Sequence, residues 1–194
     1  MVSKGKISDI FRSRASGTGR RAVLRLGAAA FATAAAGPAL AGMTGRGHAR
    51  VLTLRNLHTE ETVRAAYWAD GVWQADGLSR INHVLRDFRT GEVMDIDPDL
   101  LDLMYRLAAL VGRDEPFDVY SGYRSPRTNA QLADGSSGVA RKSLHMQGKA
   151  VDLRLPGVKL SSLRRAAMSL QAGGVGYYPR SGFIHVDTGA VRFW

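Results

Sequence analysis

Two short segments of this sequence alternate between apolar and polar side chains, and this alternation is the strongest constraint on its fold. The segments are AVDLRL at residues 150–155 and GFIHVD at residues 182–187. Successive side chains of a β-strand point to opposite faces, so the apolar members predict two strands that share a core face. These apolar members are Val151, Leu153, Leu155, Ile184 and Val186. If the two strands pair, Asp152, His185 and Asp187 project together from the opposite face.

The clearest helix in the sequence is DIDPDLLDLMYRLAALVG, residues 95–112. Asp97 is a typical N-cap, Pro98 suits the first turn, and Gly112 is a typical end of a helix. The leucines between them recur at the spacing of one helix face, which predicts that this helix packs against the core.

The predicted fold class is α+β, with helices packed on one face of a small antiparallel sheet. The other predicted elements are strands at 50–55 and 61–68, a turn at Asp70-Gly71, a helix over 76–89 capped by Asp76, a strand from residue 117, a helix near 160–171 and a strand at 175–178. The polar, glycine-rich stretch 125–142 is too long for a simple turn, and we expect it to fold over a cleft. With no internal repeat and no dividing linker, residues 42–194 are predicted to form a single domain.

Basic residues are concentrated in the first 41 positions. Seven Lys and Arg side chains against Asp9 alone give this segment a charge of +6, and the remaining 153 residues carry +4. Adjacent Arg20 and Arg21, an alanine-rich apolar run and the small residues Ala39–Ala41 are typical of a twin-arginine export signal. The alternative is a basic amphipathic or mitochondrial-type presequence.

We therefore expect residues 1–41 to be a signal peptide, with membrane contact only during export. The expected location is the periplasm or cell envelope. The mild positive charge of the remaining chain is compatible with an anionic polymer, but we expect no nucleic-acid partner.

The sequence contains no cysteine, so a transition-metal site would have to use histidine and carboxylate ligands. The strand alternation brings Asp152 and His185 to one face, and His145 lies on a predicted turn just upstream. Two neutral imidazoles and one carboxylate suit divalent zinc and leave a position open for water. Because these ligands must be deprotonated, zinc would bind more weakly in acid. A His and an Asp at this spacing also form ordinary loop hydrogen bonds, so the residues alone leave both interpretations open.

The segment SLHMQGKAVD, residues 143–152, matches the pattern Ser-x-His-x-x-Gly-x-Ala-x-Asp of the LAS zinc peptidases, named for lysostaphin, D-Ala-D-Ala carboxypeptidases and sonic hedgehog. NLHTEE, SGYRSPRTNAQL and GVGYYPRSGFIHVDTGAVRFW resemble, in order, the murein endopeptidase K family of this group. The resemblance implies the hedgehog/DD-peptidase zinc-binding fold and Zn2+ bound by His145, Asp152 and His185. It implies a peptidoglycan hydrolase that cuts peptide cross-links of the cell wall, with the peptide stems as its partner. We expect a monomer.

The resemblance also suggests roles around the metal. Arg124 lies where related carboxypeptidases place an arginine that holds a substrate carboxylate or polarises the scissile carbonyl, and the alternative is a surface arginine that stabilises the next loop. Ser143 is predicted to hydrogen-bond either substrate or the backbone of its own turn. Many LAS peptidases carry a Glu or His general base three residues before the distal ligand, where this chain has Gly182. Asp187 is therefore the candidate base, or else a partner that orients a ligand.

Two other functions stay open at this level. Gly182 favours a non-catalytic, zinc-containing module that binds peptidoglycan, and the ligand pattern also fits a D-Ala-D-Ala carboxypeptidase. Three bonds are candidates for cleavage: a 4-3 cross-link, a 3-3 cross-link between diaminopimelates, and a terminal D-Ala-D-Ala. All three present similar backbone chemistry, so the walls of the cleft must select among them.

Overall fold

The computed structural model describes residues 49–135 and 139–194. The predicted export signal, residues 1–41, lies outside the described residues and stays a prediction. Within the described ranges, no helix has both the length and the apolar character that crossing a membrane requires.

The described residues form eight strands and four helices, with three successive strands at each end of the order. The strands are β1 Arg50–Asn56, β2 Thr62–Ala69, β3 Val72–Trp73, β4 Phe117–Ser121, β5 Ala150–Arg154, β6 Gly174–Tyr178, β7 Phe183–Asp187 and β8 Arg192–Phe193. The helices are α1 Ala75–Val84, α2 Pro98–Val111, α3 Pro126–Gly135 and α4 Leu160–Ser169, with a short 3-10 helix at Leu144–Gln147.

All eight strands belong to one sheet in the order β3-β2-β1-β4-β5-β7-β6-β8. The sheet is larger than predicted, and the expectation of a purely antiparallel sheet is wrong, because β1 pairs with β4 and β6 pairs with β8 in parallel. A parallel pair needs a long connection. For β1 and β4 this connection runs through β2, β3, α1 and α2. The combination of helices with a mainly antiparallel sheet agrees with the predicted α+β class.

Helix α2 begins and ends where the sequence predicts. The Asp97 side chain accepts a hydrogen bond from Asp99 N at 3.0 Å, and Gly112 ends the helix in the left-handed region with φ of 65°. The predicted cap of α1 is wrong, because Gln74 takes the cap position and Asp76 lies in the first turn. There its carboxylate interacts favourably with the helix dipole but caps no backbone amide.

Part of the stretch 125–142, which was expected to fold over a cleft, is the helix α3, and no helix was predicted there. Ser125 precedes α3 and its hydroxyl accepts a hydrogen bond from Thr128 N at 3.2 Å, while Pro126 occupies the first turn. Serine followed by proline is a recognised start signal for a helix. Asp87 is fully buried beside this start and accepts from Ser125 N at 2.9 Å. This contact anchors α3 to the chain that leaves α1.

The apolar residues of the two alternating segments lie in the core, as predicted. Each of them is at most 1% exposed: Val151, Leu153, Leu155, Ile184 and Val186. Helix α2 packs on β1 and α4, and α4 packs on β6 and β7. The opposite face of β5 and β7 carries the polar side chains that form the site described next.

Candidate metal centre

Asp152 and His185 are direct cross-strand partners. Strands β5 and β7 pair antiparallel with Asp152 opposite His185, as the strand alternation predicts. The two side chains point to the same side of the sheet, where His185 Nδ1 lies 2.8 Å from Asp152 Oδ1. Both residues are only 8% exposed, so this polar pair is held in a largely water-excluded position.

His145 reaches the pair from the 3-10 helix that precedes β5. Its Nε2 lies 3.3 Å from His185 Nδ1 and 3.4 Å from Asp152 Oδ2. Gly148 ends the 3-10 helix with φ of 66°, and an added Cβ would come within 2.6 Å of the Asp95 carbonyl oxygen. Only glycine fits both requirements, which explains the glycine between the histidine and the strand.

The spacing of the three ligand atoms fits a tetrahedral metal ion. Atoms bound at about 2.0–2.1 Å to a tetrahedral zinc lie roughly 3.4 Å apart, and the observed separations run from 2.8 to 3.4 Å. His145, Asp152 and His185 form the group of described residues in which three such atoms converge. Two imidazole nitrogens and one carboxylate are a donor set that suits zinc among the divalent transition metals.

Each histidine ring is also fixed from its far side. His145 Nδ1 donates to the Gly122 carbonyl oxygen at 2.8 Å, and His185 Nε2 donates to Asp187 Oδ2 at 3.0 Å. These bonds leave His145 Nε2 and His185 Nδ1 as the ring nitrogens that face Asp152 and that could bind a metal. Such outer hydrogen bonds set the tautomer and orientation of metal-binding histidines.

Asp187 lies behind His185 and has no exposed surface. Besides His185 it accepts hydrogen bonds from Gly174 N at 3.0 Å, Gly189 N at 2.8 Å and both terminal nitrogens of Arg192. Burial alone would raise the pKa of the Asp187 carboxyl, but these hydrogen bonds outweigh it and hold the pKa well below its usual range. Asp187 is therefore ionised and fully bonded.

The two carboxylates give the centre a negative electrostatic environment. Burial alone would lower the pKa of His185, but its hydrogen bonds to Asp152 and Asp187 outweigh burial and raise it to about 9. Burial opposes ionisation of Asp152 as well, yet the two histidines keep its pKa well below the usual range. An environment that favours positive charge on an imidazole also favours a bound cation at the same place.

The centre lies in a cleft of about 350 Å³. The cleft is lined by His145, Asp152 and His185 together with Arg124, Val139, Ala140, Lys142, Ser143, Leu144, Tyr178, Phe183, Arg192 and Trp194. Ser143 accepts a hydrogen bond from His145 N at 3.3 Å, so it bonds the backbone of its own turn, one of its two predicted contacts. Tyr123, by contrast, packs in the core.

Arg124 is a largely buried cation beside the centre. Its side chain is 12% exposed, and its guanidinium lies 3.9 Å from Asp152 Oδ2. Weak hydrogen bonds join it to Asn129 Oδ1 at 3.3 Å and Ser121 Oγ at 3.4 Å, while its buried Nε has no partner among the described residues. Burial lowers the pKa of Arg124, although Asp152 opposes this, and the side chain remains a cation.

The family model described as peptidoglycan L,D-endopeptidase MepK matches residues 45–194. The chain belongs to this family. The peptidoglycan L,D-endopeptidase MepK of Escherichia coli K12 is 45% identical over 176 residues, which cover 90% of this chain and 96% of the relative. The probable peptidoglycan L,D-endopeptidase MepK of Haemophilus influenzae Rd is 42% identical over 146 residues, covering 75% of this chain and 78% of the relative.

In this member of the MepK family, the position expected for a general base is occupied by Gly182, which has no side chain and lies in the turn between two strands. Gly182 lies between β6 and β7 with φ of 80°, and an added Cβ would come within 3.3 Å of the Tyr120 hydroxyl. His58, in the NLHTEE segment that resembles the family, does not line the cleft. It stacks on Phe88 with ring centroids 3.8 Å apart, and its Nε2 is 3.0 Å from the Tyr120 carbonyl oxygen.

The sequence of this MepK-family chain did not predict the place of three polar or aromatic residues in the cleft, which are Arg192, Tyr178 and Trp194. Arg192 bonds Asp187, while Tyr178 and Trp194 bond each other through Trp194 Nε1 and the tyrosine hydroxyl at 2.8 Å. Tyr178 follows Tyr177 on β6, and neighbouring residues of a strand point to opposite faces. Because Tyr177 packs against the core, Tyr178 is on the face that carries the site. Arg192 and Trp194 had no such signal, since β8 is only two residues long.

Proposed function

We propose that this chain is a zinc-dependent peptidase that hydrolyses peptide bonds in the cross-links of peptidoglycan. The observation that carries the proposal is the ligand geometry. His145 Nε2, Asp152 and His185 Nδ1 converge with separations of 2.8–3.4 Å, and each ring is locked by an outer hydrogen bond. Membership of the MepK family supports a peptidase over other metal-dependent hydrolases.

The proposed scissile bond is the L,D bond of a 3-3 cross-link between two diaminopimelates. Of the three bonds that the sequence leaves as candidates, this is the one that agrees with the names of the relatives, which are L,D-endopeptidases. The peptide stems of peptidoglycan are then the substrate and the partner.

The bound zinc would supply a Lewis acid that polarises the scissile carbonyl and lowers the pKa of a water molecule. The ligands His145, Asp152 and His185 hold it, and the rigidity of the site comes from their surroundings. The Gly122 carbonyl fixes the first ring and the Asp187 carboxylate fixes the second.

Asp187 acts in this scheme by orienting His185. A general base must reach the proton that it removes, and Asp187 has no exposed surface and already has its oxygens hydrogen-bonded. Of the two roles predicted from sequence, we therefore favour the orienting role over that of a base.

Arg124 is assigned to the substrate. Its guanidinium lines the cleft beside Asp152, and only weak hydrogen bonds join it to Asn129 and Ser121. A carboxylate of the stem peptide, or the carbonyl next to the metal, would find stronger charge-assisted hydrogen bonds there. Ser143 retains its hydroxyl hydrogen while it accepts from His145 N, so it is assigned as a second substrate contact.

The wider context is proposed on the same basis. Residues 42–194 form a single monomeric domain of the hedgehog/DD-peptidase type, with the helices on one face of the sheet. Residues 1–41 are a twin-arginine signal that exports the protein to the periplasm or cell envelope, where peptidoglycan lies.

Release of peptides from isolated sacculi tests the proposed function. We expect the zinc-loaded protein to solubilise sacculi, and a chelator or the substitution His145→Ala to abolish this release. The substitution His83→Ala is a matched control, because His83 is an exposed histidine on α1 whose side chain is 59% accessible. Intact sacculi after incubation with zinc-loaded protein would contradict the proposal.

One observation favours a second candidate, a non-catalytic module that binds peptidoglycan. Gly182 supplies no side chain at the position of the usual base. This alternative predicts that the zinc-loaded protein co-sediments with sacculi without releasing peptides. It also predicts that zinc removal lowers the melting temperature by many degrees, since the metal would then be structural.

A further inference from the structure

Trp194 is fixed at the rim of the cleft. Its N–H donates to the Val175 carbonyl at 3.2 Å, and its carbonyl accepts from Tyr177 N at 2.9 Å. Both backbone groups of Trp194 are therefore hydrogen-bonded to β6. The indole covers Gly176, where an added Cβ would come within 2.7 Å of the ring. The ring centroid is 5.4 Å from that of His185. The indole therefore lies next to a metal ligand in a position that the backbone determines.

The indole N–H of Trp194 is directed at the hydroxyl of Tyr178, at 2.8 Å. Tyr178 lies two residues beyond Gly176 on β6, so both side-chain positions are on the same face of the sheet. Gly176 is the cross-strand partner of His185, which places Tyr178 on the face that carries the metal ligands. The Tyr178 ring packs on Phe183 with centroids 4.9 Å apart.

The direction of this hydrogen bond determines what Tyr178 can do. An indole N–H can only donate, so the phenol oxygen is the acceptor and its own hydrogen is free for another partner. Within residues 49–135 and 139–194, the Trp194 N–H is the hydrogen-bond partner of this hydroxyl, and no acceptor takes its hydrogen. Tyr178 thus brings an oriented O–H donor to the side of the cleft that Phe183, Trp194 and the Asp187-bound Arg192 also line.

The sheet order places this donor opposite Arg124. The ligands lie on β5 and β7 and on the 3-10 helix, and β5 and β7 are the two strands between β4 and β6. Arg124 follows β4, and Tyr178 ends β6. A substrate that crosses the metal centre therefore meets the Arg124 guanidinium on one side and the Tyr178 hydroxyl on the other.

We propose that Tyr178 is a catalytic residue whose hydroxyl donates a hydrogen bond to the scissile carbonyl oxygen, and that Trp194 is the positioning residue that orients this hydroxyl. The inference rests on the proposed peptidase function. When water adds to the carbonyl carbon, the new C–O bond forms as the carbonyl π bond opens, and negative charge collects on the carbonyl oxygen. The added oxygen keeps the water's protons until one passes to the amine nitrogen, which leaves as the C–N bond breaks and the carbonyl re-forms. The Tyr178 hydroxyl stabilises this charge and keeps its proton throughout.

The test is a double-mutant cycle with Tyr178→Phe and Trp194→Phe, measured on a defined cross-linked muropeptide. Removal of one such donor costs about 100-fold in kcat, so we expect this loss for Tyr178→Phe with KM changed less than about threefold. Trp194→Phe keeps a ring over Gly176 but removes the N–H, and we expect about a tenfold loss. Because Trp194 acts through the hydroxyl, adding Trp194→Phe to Tyr178→Phe should cause less than about a twofold further loss.

Three measurements separate this role from a structural one. Bound zinc and melting temperature should equal those of the wild type in each variant. A phosphinate analogue of the scissile bond, which mimics the tetrahedral state, should bind Tyr178→Phe about 100-fold more weakly. Tyr177→Phe is the matched control, because Tyr177 alternates to the other face of β6 and lies under the Arg164 guanidinium at 5.1 Å.

The outcomes distinguish this inference from the proposed function. An inactive wild-type protein would defeat the proposed function itself. With an active wild type, a Tyr178→Phe variant within about twofold of its kcat would overturn the role of Tyr178. Loss of zinc that accounts for the lost activity would overturn it equally, and additive losses in the double variant would overturn the positioning role of Trp194.

Discussion

His185 donates its Nε2 hydrogen to Asp187, a carboxylate with no exposed surface that Arg192 and two backbone amides also bind. This arrangement fixes the imidazole so that Nδ1 faces Asp152. Asp187 does not line the cleft, so it influences the centre through His185. Substitution of Asp187 therefore tests the orientation of the His185 ligand while all three ligands stay in place.

The first prediction concerns Asp187→Asn. The amide has nearly the same shape but no charge, so it accepts more weakly from His185 and leaves Arg192 uncompensated. Substitutions at such outer partners lower metal affinity by about 10- to 100-fold, and we expect a loss in this range. Titration with zinc against a competing chelator measures it. Asp118→Asn is the control, since Asp118 is also buried and pairs with Arg55 and Arg154, outside the metal centre. Equal zinc affinities of Asp187→Asn and wild type would contradict the orienting role.

The second prediction concerns Arg124→Lys. Lysine keeps the positive charge but loses the planar fork that makes paired hydrogen bonds. We expect kcat/KM on a cross-linked muropeptide to fall about 100-fold while bound zinc stays at the wild-type level. Arg127→Lys on the exposed side of α3 should leave both quantities unchanged. A wild-type kcat/KM for Arg124→Lys would show that only charge, or only loop stability, is required at this position.

The third prediction concerns Gly148→Ala. The alanine must adopt φ of 66° and place its Cβ 2.6 Å from the Asp95 carbonyl oxygen, so the turn that carries His145 must shift. We expect a loss of at least 2 kcal/mol in the free energy of unfolding together with weaker zinc binding. Gly91→Ala is the matched control, because Gly91 has φ of 76° and open space around it, so only the backbone cost of about 1 kcal/mol applies. Equal losses in the two variants, measured by urea unfolding, would exclude the proposed clash.

The fourth prediction concerns the pH dependence of stability at Asp87. Burial opposes its ionisation, but hydrogen bonds from the backbone amides of Ser125 and Arg89, with the nearby Ser125 and Thr128 hydroxyls, outweigh this and lower its pKa to about 2. A carboxyl whose pKa is lower in the folded state stabilises the fold above its unfolded pKa of about 3.9, and this contribution disappears as the pH falls toward 2.

Asp87→Asn should therefore be less stable than wild type by about 2 kcal/mol at pH 7, and the difference should shrink below pH 4 and disappear as the pH falls through 2. Urea unfolding at several pH values measures this difference. Asp76→Asn, at a carboxylate that is 88% exposed, should show little effect at any pH. A constant difference between Asp87→Asn and wild type from pH 7 to pH 2 would mean that the lowered pKa contributes nothing.

The pairing of Asp152 with His185 could be predicted because strand alternation is a local property. A period of two residues shows which side chains share a face, and apolar residues on the other face indicate which face is buried. The parallel pairing of β1 with β4 has no such local signal. It depends on how α1 and α2 return the chain to the sheet, and the sequence between residues 75 and 111 does not encode that path in a simple period.

The roles of Arg192 and Trp194 escaped prediction for a related reason. Strand β8 is two residues long, which is too short for any alternation to be recognised. In the sheet it pairs with β6, and not with β7, the strand that precedes it in the sequence. Helix α3 was not predicted, because its many polar residues are typical of a loop. Ser125 and Pro126 nevertheless form a start signal for a helix. A helix on a polar stretch is stabilised by tertiary contacts, here to Asp87.

The most direct test of the central claim is mass spectrometry of the products formed from a defined 3-3 cross-linked muropeptide dimer. With zinc present, we predict two monomers separated at the L,D bond between the diaminopimelates. The variant His185→Ala and the chelated wild type should leave the dimer intact. An uncut dimer with zinc-loaded wild type, or equal cleavage by His185→Ala, would contradict the account of a metal-dependent L,D-endopeptidase.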